Sequence, residues 1–169
     1  MDLDVTILDE AFDRLHKTGP EFRGWLSNHG PMAAEAMIRR GHGDAVSHWL
    51  DGYMRRLEPV PSAVGPIGND WRHALGDVRR VADWTRYFED VLAEQPWRTA
   101  LNAWWPRLLP GIAAGATHGV IRVGHAVRAL LTDGDSAEGP RIGPWARLLG
   151  GTVGTGDCTS GFLGPSHRG

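Results

Sequence analysis

The sequence predicts an all-α protein, a multi-helix antiparallel bundle-like array that gives way to an irregular glycine-rich tail. Three observations predict it. Apolar residues recur at helical spacing, segment after segment, up to Leu131. Asn, Asp, Gly and Pro punctuate those segments where helices start and stop. No stretch alternates apolar and polar residues as a half-buried strand does, and there is no internal repeat.

The elements follow in order. Leu8, Phe12 and Leu15 lie at i, i+4 and i+7, giving a short amphipathic helix that ends near Gly19-Pro20. Asn28 is placed to cap a helix over 29–40, with Pro31 tolerated in its first turn and Gly41 as its stop. Asp44 is placed to cap the next, whose stripe is Val46, Trp49, Leu50 and Tyr53, reaching Leu57. Pro59, Pro61, Gly65, Pro66 and Gly68 then mark a loop of about ten residues, long enough to cover something. Asp83 is expected to cap 84–95, with Trp84, Tyr87, Phe88, Val91 and Leu92 at helical spacing. Pro96 opens 97–109, which Trp104-Trp105-Pro106 is expected to bend or break. A last helix is expected from Ala113 to Leu131.

Glycine occurs 13 times in residues 1–131 and 10 times in the 38 residues that follow, and helical periodicity fades at the same place. The expected organisation is a helical domain over 1–131 and a glycine-rich, disordered tail over 132–169. A formal charge of -2 and a pI near 6.4 argue against nucleic-acid or anionic-membrane binding through bulk charge. Eight Trp and 41% hydrophobic residues suffice for a sizeable core. A single cysteine, Cys158, excludes an internal disulfide framework. The acidic start lacks a signal-peptide pattern, and His118, Arg122, His125 and Arg128 interrupt the most apolar segment. The expectation is a cytoplasmic chain without a membrane span.

The chemistry-bearing residues cluster in ATHGVIRVGHAVRAL, 116–130. On a helix His118, Arg122 and His125 share one face, which Ile121 is expected to press towards the interior. Such a stripe asks for a ligand, a metal or a carboxylate, or for hydrogen bonds that satisfy each group within a core. Residues seven apart rise about 10.5 Å along a helix. One ion about 2.1 Å from each ring nitrogen is therefore reached by both histidines only with the rings stretched towards each other. His29, in SNHGPM, stands at a helix start where Gly30 is expected to leave open space. His42 and His48 are weaker candidates, and His16, His73 and His167 are expected at the surface. Trp25, Asn28, Trp49, Tyr53, Trp104 and Trp105 are the candidate wall of an aromatic substrate pocket, the aromatic rings among them serving equally well as core. GGTVGTGD, 150–157, matches no phosphate-binding fingerprint.

With these residues laid out, the chain resembles the questin oxidase-like family, a group of α-helical oxidoreductases. The resemblance is carried by FRGWLSNHGPMAAEAM and LLPGIAAGATHGVIRVGHAVRAL, with NDWRHALGD and the helix around Tyr87-Phe88 between them, over roughly residues 8–131. It implies oxidation of polycyclic aromatic polyketides, with ring opening by oxygen insertion. It also implies either NADPH-linked Baeyer–Villiger chemistry or non-haem iron held by histidines; His29 and His118 match family histidines here, and His125 on the same helix face is the third candidate ligand. The family's H-P-L-I-H-L-G-Y is met by residues 118–125, where Arg122 replaces the second family His and His125 the family Tyr. The chelating i, i+4 pair thereby becomes an i, i+7 pair. No flavin fingerprint is present. Family members are about twice as long, so the tail is expected to mark a frameshift or truncation, and a half-bundle to expose an apolar face that favours homo-oligomers. In the resulting reading His29, His118 and His125 hold a metal or move protons, and Arg122 binds a substrate oxygen. A non-catalytic helical module for an aromatic ligand or partner, and a small histidine–metal hydrolase, are the alternatives.

Overall fold

The computed structural model describes residues 3–19, 21–22, 26–111 and 118–132. Six helices carry the fold: α1 (Leu3–Leu15), α2 (Gly30–Arg39), α3 (Gly43–Met54), α4 (Val81–Glu94), α5 (Trp97–Leu108) and α6 (His118–Thr132). Short 3-10 turns cover Trp71–Ala74, Val78–Arg80 and Leu109–Gly111. The all-α expectation holds, with one addition. Two-residue strands β1 (Glu21–Phe22) and β2 (Leu26–Ser27) pair antiparallel, Glu21 opposite Ser27 and Phe22 opposite Leu26. A ladder this short contains no full period of alternation, so pattern reading has nothing to detect. The chain divides into two compact units, Met1–Val60 and Pro61–Gly169.

In the first unit α1, α2 and α3 pack against one another. Their core is Ala11, Leu15, Ala34, Ile38, Val46, Leu50 and Tyr53, with Leu8, Trp49 and Leu57 packed around it. These are the apolar stripes that the 3.6-residue period defines. Gly41 ends α2 as expected: its φ is +79°, a conformation costly for any residue with a Cβ. Its N–H donates to the Ile38 carbonyl and that of His42 to the Met37 carbonyl, both at 2.9 Å, which satisfies the last carbonyls of the helix. Where the chain returns after α3, Pro59 bridges to Thr18, and Gly19 N–H donates to the Glu58 carbonyl at 2.6 Å.

In the second unit α4 packs against α5 around a group of aromatic rings. Trp84 and Phe88, both fully buried, stack with centroids 5.9 Å apart. Trp104 stands edge-on to both, at 5.6 and 5.2 Å, and Tyr87 and Trp71 extend the group. The Trp84 indole N–H, which burial would otherwise leave unpaired, donates to the Ala74 carbonyl at 2.9 Å. Pro106 neither breaks nor ends α5, which runs on to Leu108. A proline this close to the C-terminus removes a single late hydrogen bond, and the chain passes directly into the 3-10 turn at Leu109.

Two expected caps act differently. Asp44 lies inside the first turn of α3, whose N-cap is His42. Asp83 lies inside the first turn of α4, whose N-cap is Arg80. Its carboxylate, with 2% of the side chain exposed, accepts the N–H groups of Val64 (3.0 Å) and Gly65 (3.1 Å) and is paired with Arg80. The Arg80 guanidinium also donates to the carbonyls of Gly65 (3.0 Å) and Pro66 (3.2 Å). The proline- and glycine-rich loop over 59–68 is thus pinned at its middle by one ion pair whose carboxylate is buried.

α6 is described over His118–Thr132, and the expected start at Ala113 lies outside the described residues. Beyond Thr132 the glycine-rich tail lies outside them as well. No described helix is long and apolar enough to cross a membrane.

Candidate functional site

The start of α2 is organised by one buried side chain. Asn28, 7% exposed, accepts the Gly30 N–H through Oδ1 at 2.9 Å. Its Nδ2 donates to the Gly19 carbonyl at 3.0 Å and to Thr18 Oγ1 at 3.3 Å. Asn28 therefore serves α2 as an Asx turn one residue before the N-cap, His29, and ties that turn to the end of α1. The amide expected to meet substrate is engaged with its own chain.

His29 N–H donates to the Tyr53 hydroxyl at 2.8 Å, and the Tyr53 ring stacks on Trp49 with centroids 4.8 Å apart. Asn28, His29, Trp49 and Tyr53, all named from sequence, thus come together in the first unit. The His29 residue is exposed, Tyr53 is buried and Trp49 is half-buried. Gly30 does not leave open space. A Cβ there would stand 2.5 Å from Leu15 Cδ2 and 3.0 Å from both Asn28 Oδ1 and Tyr53 Cε1. The glycine is needed for helix-to-helix approach. Trp25, the remaining aromatic candidate of this segment, lies outside the described residues.

In the second unit His118, Arg122 and His125 sit on α6 at i, i+4 and i+7 as predicted. The helix is oriented differently from the expectation. Its buried residues include Val123 and Leu130, while Ile121 is 42% exposed. At about 100° per residue, His125 lies roughly opposite Val123 and is half-buried. Ile121 does not press the histidine face inward. The side chains of His118 and Arg122 lie outside the described residues. Among the described residues no three His, Cys, Asp or Glu side chains gather as metal ligands do. The three-histidine set named from sequence also divides between units, His29 in the first and the α6 pair in the second.

Trp104 is 4% exposed and belongs to the α4–α5 aromatic core, whereas Trp105 is half-buried. Of the weaker histidines, His42, His48 and His73 are exposed and His16 is half-buried. His42 doubles as the N-cap of α3. Asp77 and Arg79 form an ion pair at 2.7 Å in the second 3-10 turn. Hydrogen bonds from the Arg79 side chain hold the Asp77 carboxyl below its ordinary value, and Asp77 in turn raises the pKa of Arg79.

Two arrangements escaped the sequence. One is the Asp83–Arg80 anchor beneath the 59–68 loop, whose partners are 18 and 19 residues apart and leave no local pattern. The other surrounds Trp71, which is half-buried. Arg72 lies 4.3 Å and Arg107 5.9 Å from its ring centroid, and Arg107 also lies 4.9 Å from that of Trp104.

Among known proteins, the sequence model of the questin oxidase-like family matches residues 30–130, from the first residue of α2 into the last turns of α6. No curated protein and no solved structure matches the chain.

Proposed function

The chain belongs to the questin oxidase-like family, matched over residues 30–130, and from that premise we propose that it is an oxidoreductase acting on a flat, polyketide-like aromatic substrate by oxygen insertion or ring cleavage. The match carries the reading, because it spans both units and includes the α6 face that holds His118, Arg122 and His125.

Oxidative attack on such a ring throws negative charge onto a phenolic or carbonyl oxygen. Arg122 is the residue that would hold that oxygen, since a guanidinium remains charged throughout and offers donors in a fixed fork. His125 and His118 would exchange protons with it, imidazole being the side chain that changes charge nearest neutrality. The i, i+7 spacing lets His118 and His125 reach one ion only with their rings stretched towards each other. No step is therefore routed through iron. Nor do the described residues supply a glycine-rich strand-to-helix turn of the kind that cradles a dinucleotide pyrophosphate.

The test is oxygen uptake by the purified chain with a polyhydroxyanthraquinone, NADPH and ferrous salt supplied, beside Arg122→Gln and His125→Ala. Substrate-dependent uptake that falls at least tenfold in each variant supports the reading. Uptake unaffected by both substitutions would remove the α6 face from the chemistry.

A further inference from the structure

One cluster of the second unit stands away from the α6 histidines in sequence and has no part in the proposed oxidation. The observation is the surrounding of Trp71. Its indole is the outer member of the aromatic group formed with Trp104, Trp84, Tyr87 and Phe88. Over it lie two guanidiniums, Arg72 from the first 3-10 turn and Arg107 from the last turn of α5. Both arginines are exposed. Neither pairs with a carboxylate among the described residues, where Arg14, Arg39, Arg79 and Arg80 each do. Asp70, beside Trp71 in sequence, forms no ion pair with either.

We propose that Arg72, Trp71 and Arg107 form a binding site for a flat aromatic carboxylate. Charge sets the first half of this specificity. The two distances to one ring centroid keep the guanidinium carbons within about 10 Å of each other. A carboxylate bridging two arginines needs them about 7–8 Å apart at ordinary hydrogen-bond lengths, a change that two exposed, flexible stems can make. Shape sets the second half. The half-buried Trp71 indole offers apolar surface to the ring of a ligand whose carboxylate bridges the two arginines. The indole keeps both guanidiniums near one ring, so less side-chain freedom is lost on binding than for two isolated surface arginines. The aromatic core beneath holds the indole: Trp71 meets Trp104 edge-to-face at 5.2 Å, and Trp104 is itself buried.

The site is independent of the proposed oxidation and would persist if that reading failed, because its test is binding alone. Tryptophan fluorescence of the full chain is titrated with 2-naphthoate and with its uncharged amide, and calorimetry with inorganic phosphate is run in parallel. Arg72→Gln, Arg107→Gln and Arg98→Gln are compared with the parent. Arg98 is the control, an exposed arginine of the same unit that lies 4.5 Å from the Trp97 ring centroid. The expected result is saturable binding of 2-naphthoate, weakened at least fivefold by Arg72→Gln and by Arg107→Gln and unchanged by Arg98→Gln. The amide is expected to bind at least fivefold more weakly than the acid, and phosphate more weakly than either. All four chains are checked for matching circular dichroism, and Lys at position 72 or 107 replaces Gln should a variant lose its fold. Equal binding of acid and amide, equal loss in all three variants, or affinity for phosphate matching that for naphthoate would each overturn the proposal.

Discussion

Replacing Asp83 by Ala tests how the 59–68 loop is held. The substitution leaves the N–H groups of Val64 and Gly65 without an acceptor and the Arg80 guanidinium, 22% exposed, without its counter-charge. A fully buried unsatisfied donor costs about 1–3 kcal/mol and breaking a fully buried ion pair on one side about 3–5 kcal/mol, upper bounds here because Val64 is exposed and only the carboxylate of the pair is buried. These costs overlap, since both describe the same lost carboxylate, and a surface loop recovers part of them by moving into water. A net loss of about 3 kcal/mol follows. For a chain of this size that is a fall in Tm of about 6–12 °C. Asp83→Asn keeps an acceptor for the loop amides but loses the charge, so about half the effect is expected. Urea denaturation gives the energies, and hydrogen exchange at Val64 and Gly65 locates them: both amides should lose protection in Asp83→Ala before the α4 amides do. A loss below about 1 kcal/mol, with exchange at Val64 and Gly65 unchanged, would refute the anchor.

Three further outcomes are expected. Gly30→Ala forces a Cβ to 2.5 Å from Leu15 Cδ2 and should destabilise by about 1–3 kcal/mol, whereas Gly52→Ala in α3, with nothing within 4 Å, should stabilise by about 0.5–1 kcal/mol; paired thermal melts show the opposite signs. Tyr53→Phe removes the acceptor of the His29 N–H and should cost about 1 kcal/mol in urea denaturation, with faster exchange at the His29 amide. Because Arg79 lowers the Asp77 carboxyl, this pair contributes stability above pH 3.8, the ordinary value, and loses it as pH falls through the lowered one. Denaturation from pH 7 to 2 should show Asp77→Asn less stable than the parent down to pH 3.8, with the difference vanishing towards the acid end.

Helices α1 to α5 were legible because burial follows the 3.6-residue period directly: Phe12 and Leu15, then Val46, Leu50 and Tyr53, then Trp84, Phe88 and Leu92 are buried where the pattern puts them. Gly41 was legible because a left-handed stop needs only local chemistry. Asn28 and Asp83 were half legible. Each is a small polar side chain at a helix start, but the partners that define its work, Gly19 for one and Val64 and Gly65 for the other, come from chain segments that no local pattern connects to it. Gly30 was misread for the same reason, since the Leu15 and Tyr53 side chains that crowd it arrive from α1 and α3. On α6 both sides carry apolar residues, so the sequence did not distinguish the face of Ile121 from that of Val123 and Leu130. The structure buries the latter. The His118, Arg122 and His125 stripe was correctly placed on one helix, as the period alone requires.

The most direct test of the functional claim is oxygen consumption by the purified chain on a polyhydroxyanthraquinone, with NADPH and ferrous salt present and Arg122→Gln as the comparison. The account predicts substrate-dependent uptake in the parent that falls at least tenfold in the variant. Uptake equal in the two proteins, or none in a folded parent, would contradict it.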